Sequence, residues 1–296
     1  MNIAVIGDSN SLITDILLKA LIKVIKENKD FKLVAIIDAN KLPAIKSSPI
    51  RSFLKYAVKK FFNPFDKNVF YYNPKPFLYK YRKKFSIIKP DGINNPLLLS
   101  KVKNMKLDLT FSLACPQILK EKTILTFGRI VNYHDSLLPK YGGVHATPWS
   151  LFFEEKYTGY TYHFINNQID EGNIIYQNKV EANYNKNTYH NIIVKTNNAS
   201  RKIGHVLQLC SDNFEGTPQN LEEKLYFSKK DFNSISNVDN TIEKNKIIRV
   251  INAFGKAYIP YGKYGSVPVT KFGDKIERIN YLPLLVFKCI KKIIPE

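Results

Sequence analysis

Asn2-Ile3-Ala4-Val5-Ile6-Gly7 is an apolar run, and Asp8-Ser9-Asn10-Ser11 follows it as a polar turn. Apolar residues between Ile13 and Val24 then recur at close to helical spacing, and Ser11 offers a side chain that can cap the helix. A second apolar run lies at 32–38. Strand, helix and strand in this order predict a parallel βαβ unit with a right-handed crossover. We therefore expect an open α/β sheet.

The same alternation returns further along the chain. We predict a Rossmann-like, mostly parallel open sheet with flanking helices, in a first domain of residues 1–205. Beyond roughly Cys210 the sequence changes to a polar linker, a helical pattern near 242–254 and short strand patterns. These features predict a smaller C-terminal α+β or β-rich subdomain at 206–296. In the first domain we expect strands at 107–113, 128–133, 159–165 and 173–180, and a helix that opens near Pro116.

Composition sets the broad class of protein. The 296 residues are 44% apolar, enough for a sizeable core, which excludes a disordered or collagen-like chain. The 3 cysteines are widely spaced, so neither a disulfide framework nor a cysteine-rich zinc site is expected. There is no secretory signal pattern, and no apolar stretch approaches the roughly 20 residues of a membrane span. We expect a cytoplasmic protein.

The formal net charge is +20, which favours an anionic partner such as nucleic acid, a phosphorylated substrate or an acidic membrane surface. The charge is concentrated: 41–89 holds 13 Lys or Arg against one acidic residue, Asp66. Aromatic residues and prolines are also frequent there. We interpret about 41–90 as a basic and aromatic insertion in the first domain, either a ligand-binding element or a solvated lid.

The strongest chemical signal is the segment Asn132-Tyr133-His134-Asp135-Ser136-Leu137-Leu138-Pro139. In a strand, side chains at i and i+2 share a face, so Asn132 and His134 should emerge together at the carboxyl end of a strand. A carboxamide and an imidazole suit acyl transfer, because one stabilises a developing oxyanion and the other moves a proton. Asp170, at a turn marked by Gly172, could orient His134. Otherwise His134 caps a loop and Asp170 forms an Asx-turn.

These residues resemble a known family, the formyltransferases that use N10-formyltetrahydrofolate. The family includes enzymes that act on methionyl-tRNA, glycinamide ribonucleotide and nucleotide-linked amino sugars. The resemblance rests on the segment from Asn132 to Pro139, on the turn Gly142-Gly143, and on the run from Thr158-Gly159 through His163 to Asp170 and Gly172. It extends over about 1–205.

The resemblance implies roles for particular positions. The catalytic residues would be Asn132, His134 and Asp170, with no metal required. The folate would be held mainly by main-chain groups of the segment Cys115, Pro116, Gln117, Ile118 and Leu119. Many members have Arg-Gly where this chain has Gly142-Gly143, so an arginine of the family is missing. Gly143, His145 and Trp149 look like substrate-binding residues of the sugar enzymes, although Trp149 is equally well explained as a core aromatic.

Fold and mechanism do not identify the acceptor amine. We favour a nucleotide-linked amino sugar, of the type dTDP-4-amino-4,6-dideoxyglucose, in O-antigen or surface polysaccharide synthesis. The main alternative is a methionyl-tRNA formyltransferase, which would account for the charge through tRNA phosphates. A second alternative is a nucleic-acid-binding protein without enzymatic activity.

Two further expectations concern partners. In 282–296, apolar residues and lysines alternate in blocks, which is typical of a weak contact with an anionic membrane surface. The second is the oligomeric state, for which we consider a homodimer. We expect no nucleic-acid partner for an enzyme that acts on a sugar.

Overall fold

The computed structural model describes residues 1–40, 81, 84–236, 244–255, 257–260, 266–272 and 275–278. Most of the predicted insertion at 41–90 and the whole of the predicted membrane-contact segment 282–296 lie outside these residues. The described residues fall into two compact units, one ending at Ser228 and the other starting at Lys229. The boundary expected after residue 205 falls within a helix, Ile203–Ser211.

The first unit contains one large sheet, a small two-stranded sheet and six α-helices among its described residues. The strands of the large sheet are β1 (Asn2–Gly7), β2 (Lys32–Asp38), β3 (Ile87–Ile88), β4 (Leu109–Leu113), β5 (Arg129–His134), β7 (Tyr157–Phe164) and β8 (Ile174–Glu181). The small sheet pairs β6 (Gly142–Gly143) with β9 (Tyr226–Phe227). The helices are α1 (Leu12–Glu27), α2 (Pro96–Lys103), α3 (Glu121–Thr126), α4 (Ala146–Phe152), α5 (Thr188–Ser200) and α6 (Ile203–Ser211).

The large sheet has the strand order β3-β2-β1-β4-β5-β7-β8. The first five strands in this order, β3, β2, β1, β4 and β5, are parallel to one another. In contrast, β7 is antiparallel to β5 and β8 is antiparallel to β7. This confirms the predicted mostly parallel open sheet. The carboxyl ends of β1, β4 and β5 therefore meet at one edge, where open α/β sheets place their ligands.

The first βαβ unit forms as the sequence predicts. Ser11 caps α1 by accepting a hydrogen bond from the Thr14 main-chain N–H at 3.5 Å. Gly7 permits the sharp passage from β1 into this helix, because a Cβ there would lie 2.4 Å from Thr14 Cγ2. Thr14 Oγ1 also donates to the carbonyl of Leu113 at the end of β4, so α1 is attached to two strands.

Apolar clusters cover both faces of the large sheet. One contains residues of α1 and α6 such as Leu17 and Leu207, and the other contains residues of α2 such as Leu98 and Val102. A sheet that is buried on both faces needs strands without polar alternation, which explains the continuous apolar runs of β1 and β2. One sequence prediction is wrong here: no helix opens near Pro116, and α3 begins instead at Glu121.

The second unit contains α7 (Lys229–Ser236), α8 (Lys244–Phe254) and a three-stranded antiparallel sheet of β10 (Ala257–Pro260), β11 (Ser266–Phe272) and β12 (Lys275–Arg278). This composition confirms the predicted smaller α+β subdomain. Phe232 of α7 and Phe254 of α8 pack with ring centroids 5.2 Å apart. No helix within the described ranges is long and apolar enough to cross a membrane.

Candidate active site

Asn132 and His134 lie at the carboxyl end of β5, two residues apart on one strand. β7 pairs with this part of β5, with Asn132 opposite His163 and His134 opposite Thr161. The antiparallel neighbour therefore places a second imidazole beside the pair. The sequence predicted Asn132 and His134 together but gave no role to His163.

His134 is held in one orientation by its Nε2 atom, which lies 3.0 Å from the main-chain oxygen of Tyr141. A carbonyl only accepts hydrogen bonds, so Nε2 carries the hydrogen and Nδ1 is the basic nitrogen of the neutral ring. Nδ1 lies 3.7 Å from Asp170 Oδ1. This separation is longer than a hydrogen bond, but it allows an ion pair when His134 takes up a proton.

His163 orients Asn132. Its Nδ1 donates to the main-chain oxygen of Phe164 at 2.9 Å, which leaves Nε2 to accept a hydrogen bond from Asn132 Nδ2 at 3.1 Å. Burial lowers the pKa of His163 to about 4, with His134 acting in the same direction and Asp170 opposing it. The ring is therefore neutral near pH 7, and it fixes the direction of the Asn132 carboxamide.

Asp170 lies at the turn between β7 and β8, in a left-handed conformation with φ of 59°. Its Oδ2 accepts a hydrogen bond from the Gly143 main-chain N–H at 2.8 Å, and its Oδ1 lies 3.8 Å from Nε2 of His163. Gln219 holds the turn itself, because its Nε2 donates to the main-chain oxygens of Asp170 at 2.9 Å and Gly172 at 2.7 Å. The carboxylate is thus fixed between two histidines.

The small β6–β9 sheet supports this carboxylate. Gly143 has φ of +87°, and a Cβ there would lie 2.2 Å from the Phe227 carbonyl oxygen. Main-chain bonds join the two strands: Gly142 N–H donates to the oxygen of Leu225 at 2.8 Å, and Val144 N–H to that of Phe227 at 2.9 Å. Residues 225–227 and Gln219 therefore contribute to the site although they follow the catalytic domain predicted to end at residue 205.

The predicted substrate-binding residues lie in different surroundings. Gly143 is part of the site through its bond to Asp170, and His145 precedes α4 in a left-handed conformation with φ of 61°. Trp149 is only 3% exposed, and its ring stacks on Phe227 with centroids 4.1 Å apart. The structure therefore does not bring the Trp149 ring to an open surface, and its placement corresponds to the core-aromatic alternative.

The predicted folate segment forms an ordered loop directly after β4. Gln117 fixes it, because its Nε2 donates to the oxygen of Ala39 at 2.6 Å and its Oε1 accepts from the Ile93 N–H at 3.1 Å. Within the ranges that the structure describes, the main-chain N–H groups of Ile118 and Leu119 have no acceptor. A rigid loop with donors of this kind fits the polar edge of a pterin ring.

No group of three or more His, Cys, Asp and Glu side chains that could hold a metal ion occurs among the described residues. The residues collected at this edge are a carboxamide, two histidines and one carboxylate, which suit proton transfer and the stabilisation of an oxyanion.

Comparison with known proteins identifies the family. The sequence profile named "Formyl transferase" matches residues 2–204, more than half of the chain. The chain belongs to the formyl transferase family. A curated relative, methionyl-tRNA formyltransferase of Syntrophus aciditrophicus, is 36% identical over 93 residues, which are 31% of this chain and 30% of that protein. The matched regions span between 15% and 60% of the first curated relatives.

Solved structures with the same fold cover nearly the whole chain. A sugar N-formyltransferase from Shewanella sp. superposes with a TM-score of 0.65 over 94% of this chain and 99% of that one, at 16% identity. The N-formyltransferase from Helicobacter canadensis, solved with folinic acid and dTDP-3-aminofucose, has a TM-score of 0.57 over 92% of this chain and 84% of that one, at 21% identity. These proteins therefore share the fold of this chain.

Proposed function

We propose that this chain transfers a formyl group from N10-formyltetrahydrofolate to the amine of a nucleotide-linked amino sugar. The observation that carries the proposal is the arrangement of Asn132 and His134 at the carboxyl end of β5 with Asp170 beside them, in a chain whose residues 2–204 match the formyl transferase family. The formyl carbon forms an amide bond with the acceptor amine as its bond to N10 breaks, and N10 of the departing tetrahydrofolate gains the proton that the amine loses.

Asn132 stabilises the negative charge that develops on the formyl oxygen. One N–H of its carboxamide is bonded to His163, which fixes the amide plane and leaves the second N–H for this oxygen. Because the donor is fixed before the reaction, it needs no reorganisation when the charge appears. His163 is a positioning residue in this scheme.

His134 moves the amine proton. Its Nε2–H is bonded to the Tyr141 carbonyl, so Nδ1 is the nitrogen that takes up a proton, on the side where Asp170 Oδ1 lies at 3.7 Å. The Asp170 carboxylate stabilises the imidazolium that forms. Since Gly143 N–H occupies the other carboxylate oxygen, Asp170 keeps one oxygen towards the histidines.

The amino-sugar acceptor is supported by solved structures that cover almost the whole chain, among them an N-formyltransferase solved with dTDP-3-aminofucose. We extend this to an amine of the dTDP-4-amino-4,6-dideoxyhexose type for surface polysaccharide. The competing acceptor is methionyl-tRNA, which is supported by curated methionyl-tRNA formyltransferases over 30% to 60% of their length and by a solved methionyl-tRNA formyltransferase with a TM-score of 0.53 over 94% of this chain.

The test uses the full chain with N10-formyltetrahydrofolate and either dTDP-4-amino-4,6-dideoxyglucose or initiator Met-tRNA, with detection of the formylated product by mass. We expect formylation of the sugar nucleotide. His134→Ala and Asn132→Ala should each lower kcat on the order of 100- to 1000-fold, the usual cost of losing such a group. His205→Ala, at an exposed position on α6, is the matched control and should retain the wild-type rate. Formylation of the tRNA alone would refute the proposed acceptor.

A further inference from the structure

Lys195, on α5, has no exposed side-chain surface. Its Nζ lies 2.8 Å from the main-chain oxygen of Asp135 and 3.0 Å from Oδ1 of the same residue. It also lies 2.6 Å from Thr147 Oγ1 and 3.1 Å from Thr158 Oγ1. Because an ammonium carries three hydrogens, these four oxygens account for all of its donors. Burial lowers the pKa of Lys195, and the Asp135 carboxylate opposes this effect.

The Lys195 ammonium joins separate parts of the first unit. Thr147 belongs to the first turn of α4, Thr158 to β7, and Asp135 directly follows β5. Asp135 is itself fully engaged, since its two carboxylate oxygens accept hydrogen bonds from Tyr133 Oη and Thr147 Oγ1. The ion pair is therefore the centre of a hydrogen-bond cluster in which the Lys195 side chain is fully buried and the Asp135 side chain is 19% exposed.

This cluster is adjacent to His134 along the chain. Asp135 is the next residue in the chain, and the bond from Lys195 to its main-chain oxygen fixes the peptide that leads into Ser136. Ser136 Oγ in turn lies 3.2 Å from the main-chain oxygen of Tyr141, the same oxygen that accepts the hydrogen bond from His134 Nε2. The position of the Tyr141 oxygen depends on the conformation of the turn that begins at Ser136. The orientation of the His134 imidazole therefore depends on the same turn.

Stability alone is a weak explanation for such a pair. Burying two charges costs about as much as their attraction returns, and well-packed apolar residues are often at least as stable. The ammonium adds a directional hydrogen bond, because it donates to the main-chain oxygen of Asp135, which an apolar side chain could not bind. We propose that Lys195 is a positioning residue which, through Asp135 and the turn at Ser136, fixes the orientation of His134; the inference rests on the proposed function for its meaning in catalysis.

The experiment needs a variant that removes the ammonium without leaving the partly buried Asp135 carboxylate unpaired. Lys195→Met alone leaves Asp135 charged and is expected to unfold or to be strongly destabilised. The double variant Lys195→Met with Asp135→Asn keeps the volume and removes both charges. Lys179→Met, at an exposed position on β8, is the matched control. Thermal unfolding checks that the double variant is folded.

The deciding readout is the ring state of His134, measured by nitrogen-15 NMR of the imidazole across a pH titration. We expect a single Nε2–H tautomer in the wild type and in Lys179→Met, and a changed tautomer signal or titration midpoint in the folded double variant. In the formyl-transfer assay, kcat should fall by about 10-fold or more, with KM for both substrates within about 3-fold of the wild type, as is typical of a misplaced catalytic group.

An unchanged tautomer and midpoint in the folded double variant would overturn the inference and leave Lys195 with a purely structural role. If the double variant does not fold, Lys195→Arg, which keeps the charge but moves the donors, is compared by the same NMR signal with the same two outcomes. If the wild type formylates no acceptor, the proposed function fails, but the NMR comparison still decides whether Lys195 fixes His134.

Discussion

The buried His163 should make the stability of the first unit depend on pH in a characteristic way. Its ring is 1% exposed, and burial lowers its pKa to about 4 from the ordinary value of 6.5. The unfolded chain therefore binds a proton at a higher pH than the folded protein does. The stability that the neutral ring contributes is fully present above pH 6.5 and is lost as the pH falls towards 4.

The size of the effect follows from these two pKa values. One pH unit of separation corresponds to about 1.4 kcal/mol. Linkage then gives a loss of about 2 kcal/mol by pH 5 and about 3 kcal/mol by pH 4 from this one group. Solvent does not screen this effect, because the His163 ring is buried. A loss of this size is a large part of the stability of an ordinary domain.

The assay is urea denaturation between pH 4 and pH 7 of the wild type and of His163→Gln, which has no titrating group. Carboxylates also titrate in this range, so the readout is the difference in the free energy of unfolding between the two proteins. That difference should shrink by about 2 kcal/mol from pH 7 to pH 5. His205→Gln, at an exposed site on α6, should follow the wild type. Parallel curves for the wild type and His163→Gln would refute the reasoning.

Two further predictions concern the support of Asp170. Gly143→Ala should lower kcat on the order of 100-fold, because the new Cβ would lie 2.2 Å from the Phe227 oxygen and would displace the N–H that holds the carboxylate. Gly142→Ala, whose Cβ would meet its nearest atom at 3.5 Å, is the control, and equal losses in both variants would contradict this explanation. Gln219→Ala should lower kcat with little change in KM, since it releases the Asp170 turn without touching the imidazoles; steady-state kinetics at saturating substrate measure this, and an unchanged kcat would count against it.

The parts of the fold that depend on local pattern could be predicted from the sequence. The βαβ unit follows from apolar runs on either side of a capped helix, and the shared face of Asn132 and His134 follows from the two-residue period of a strand. His163 was missed because its role depends on the register between β5 and β7, which pairs it with Asn132 across 31 positions of the chain. The signals for it in the sequence were its place in the family-like run from Thr158 to Gly172 and its position between Tyr162 and Phe164 in an apolar strand.

Other features of the site depend on contacts that no local pattern encodes. Gln219 lies 49 positions after Asp170 and donates to the main-chain oxygens of Asp170 and Gly172. Every residue has such an oxygen, so neither residue type nor spacing indicates these bonds. The sequence predicts a helix that opens near Pro116, but Gln117 is bonded to Ala39 and Ile93, which holds the segment as a non-helical loop until Glu121. The catalytic roles of Asn132, His134 and Asp170 stay predictions until the variants are measured.

The pairing of β6 with β9 has a practical consequence for protein engineering. The family match ends at residue 204, and a hybrid enzyme designed from sequence similarity would exchange everything after that point. Such an exchange would replace the strand at 226–227 that bonds to Gly142 and Val144. A junction placed after Ser228 instead would keep the candidate active site in one piece, so that any change in acceptor preference could be attributed to the exchanged C-terminal part.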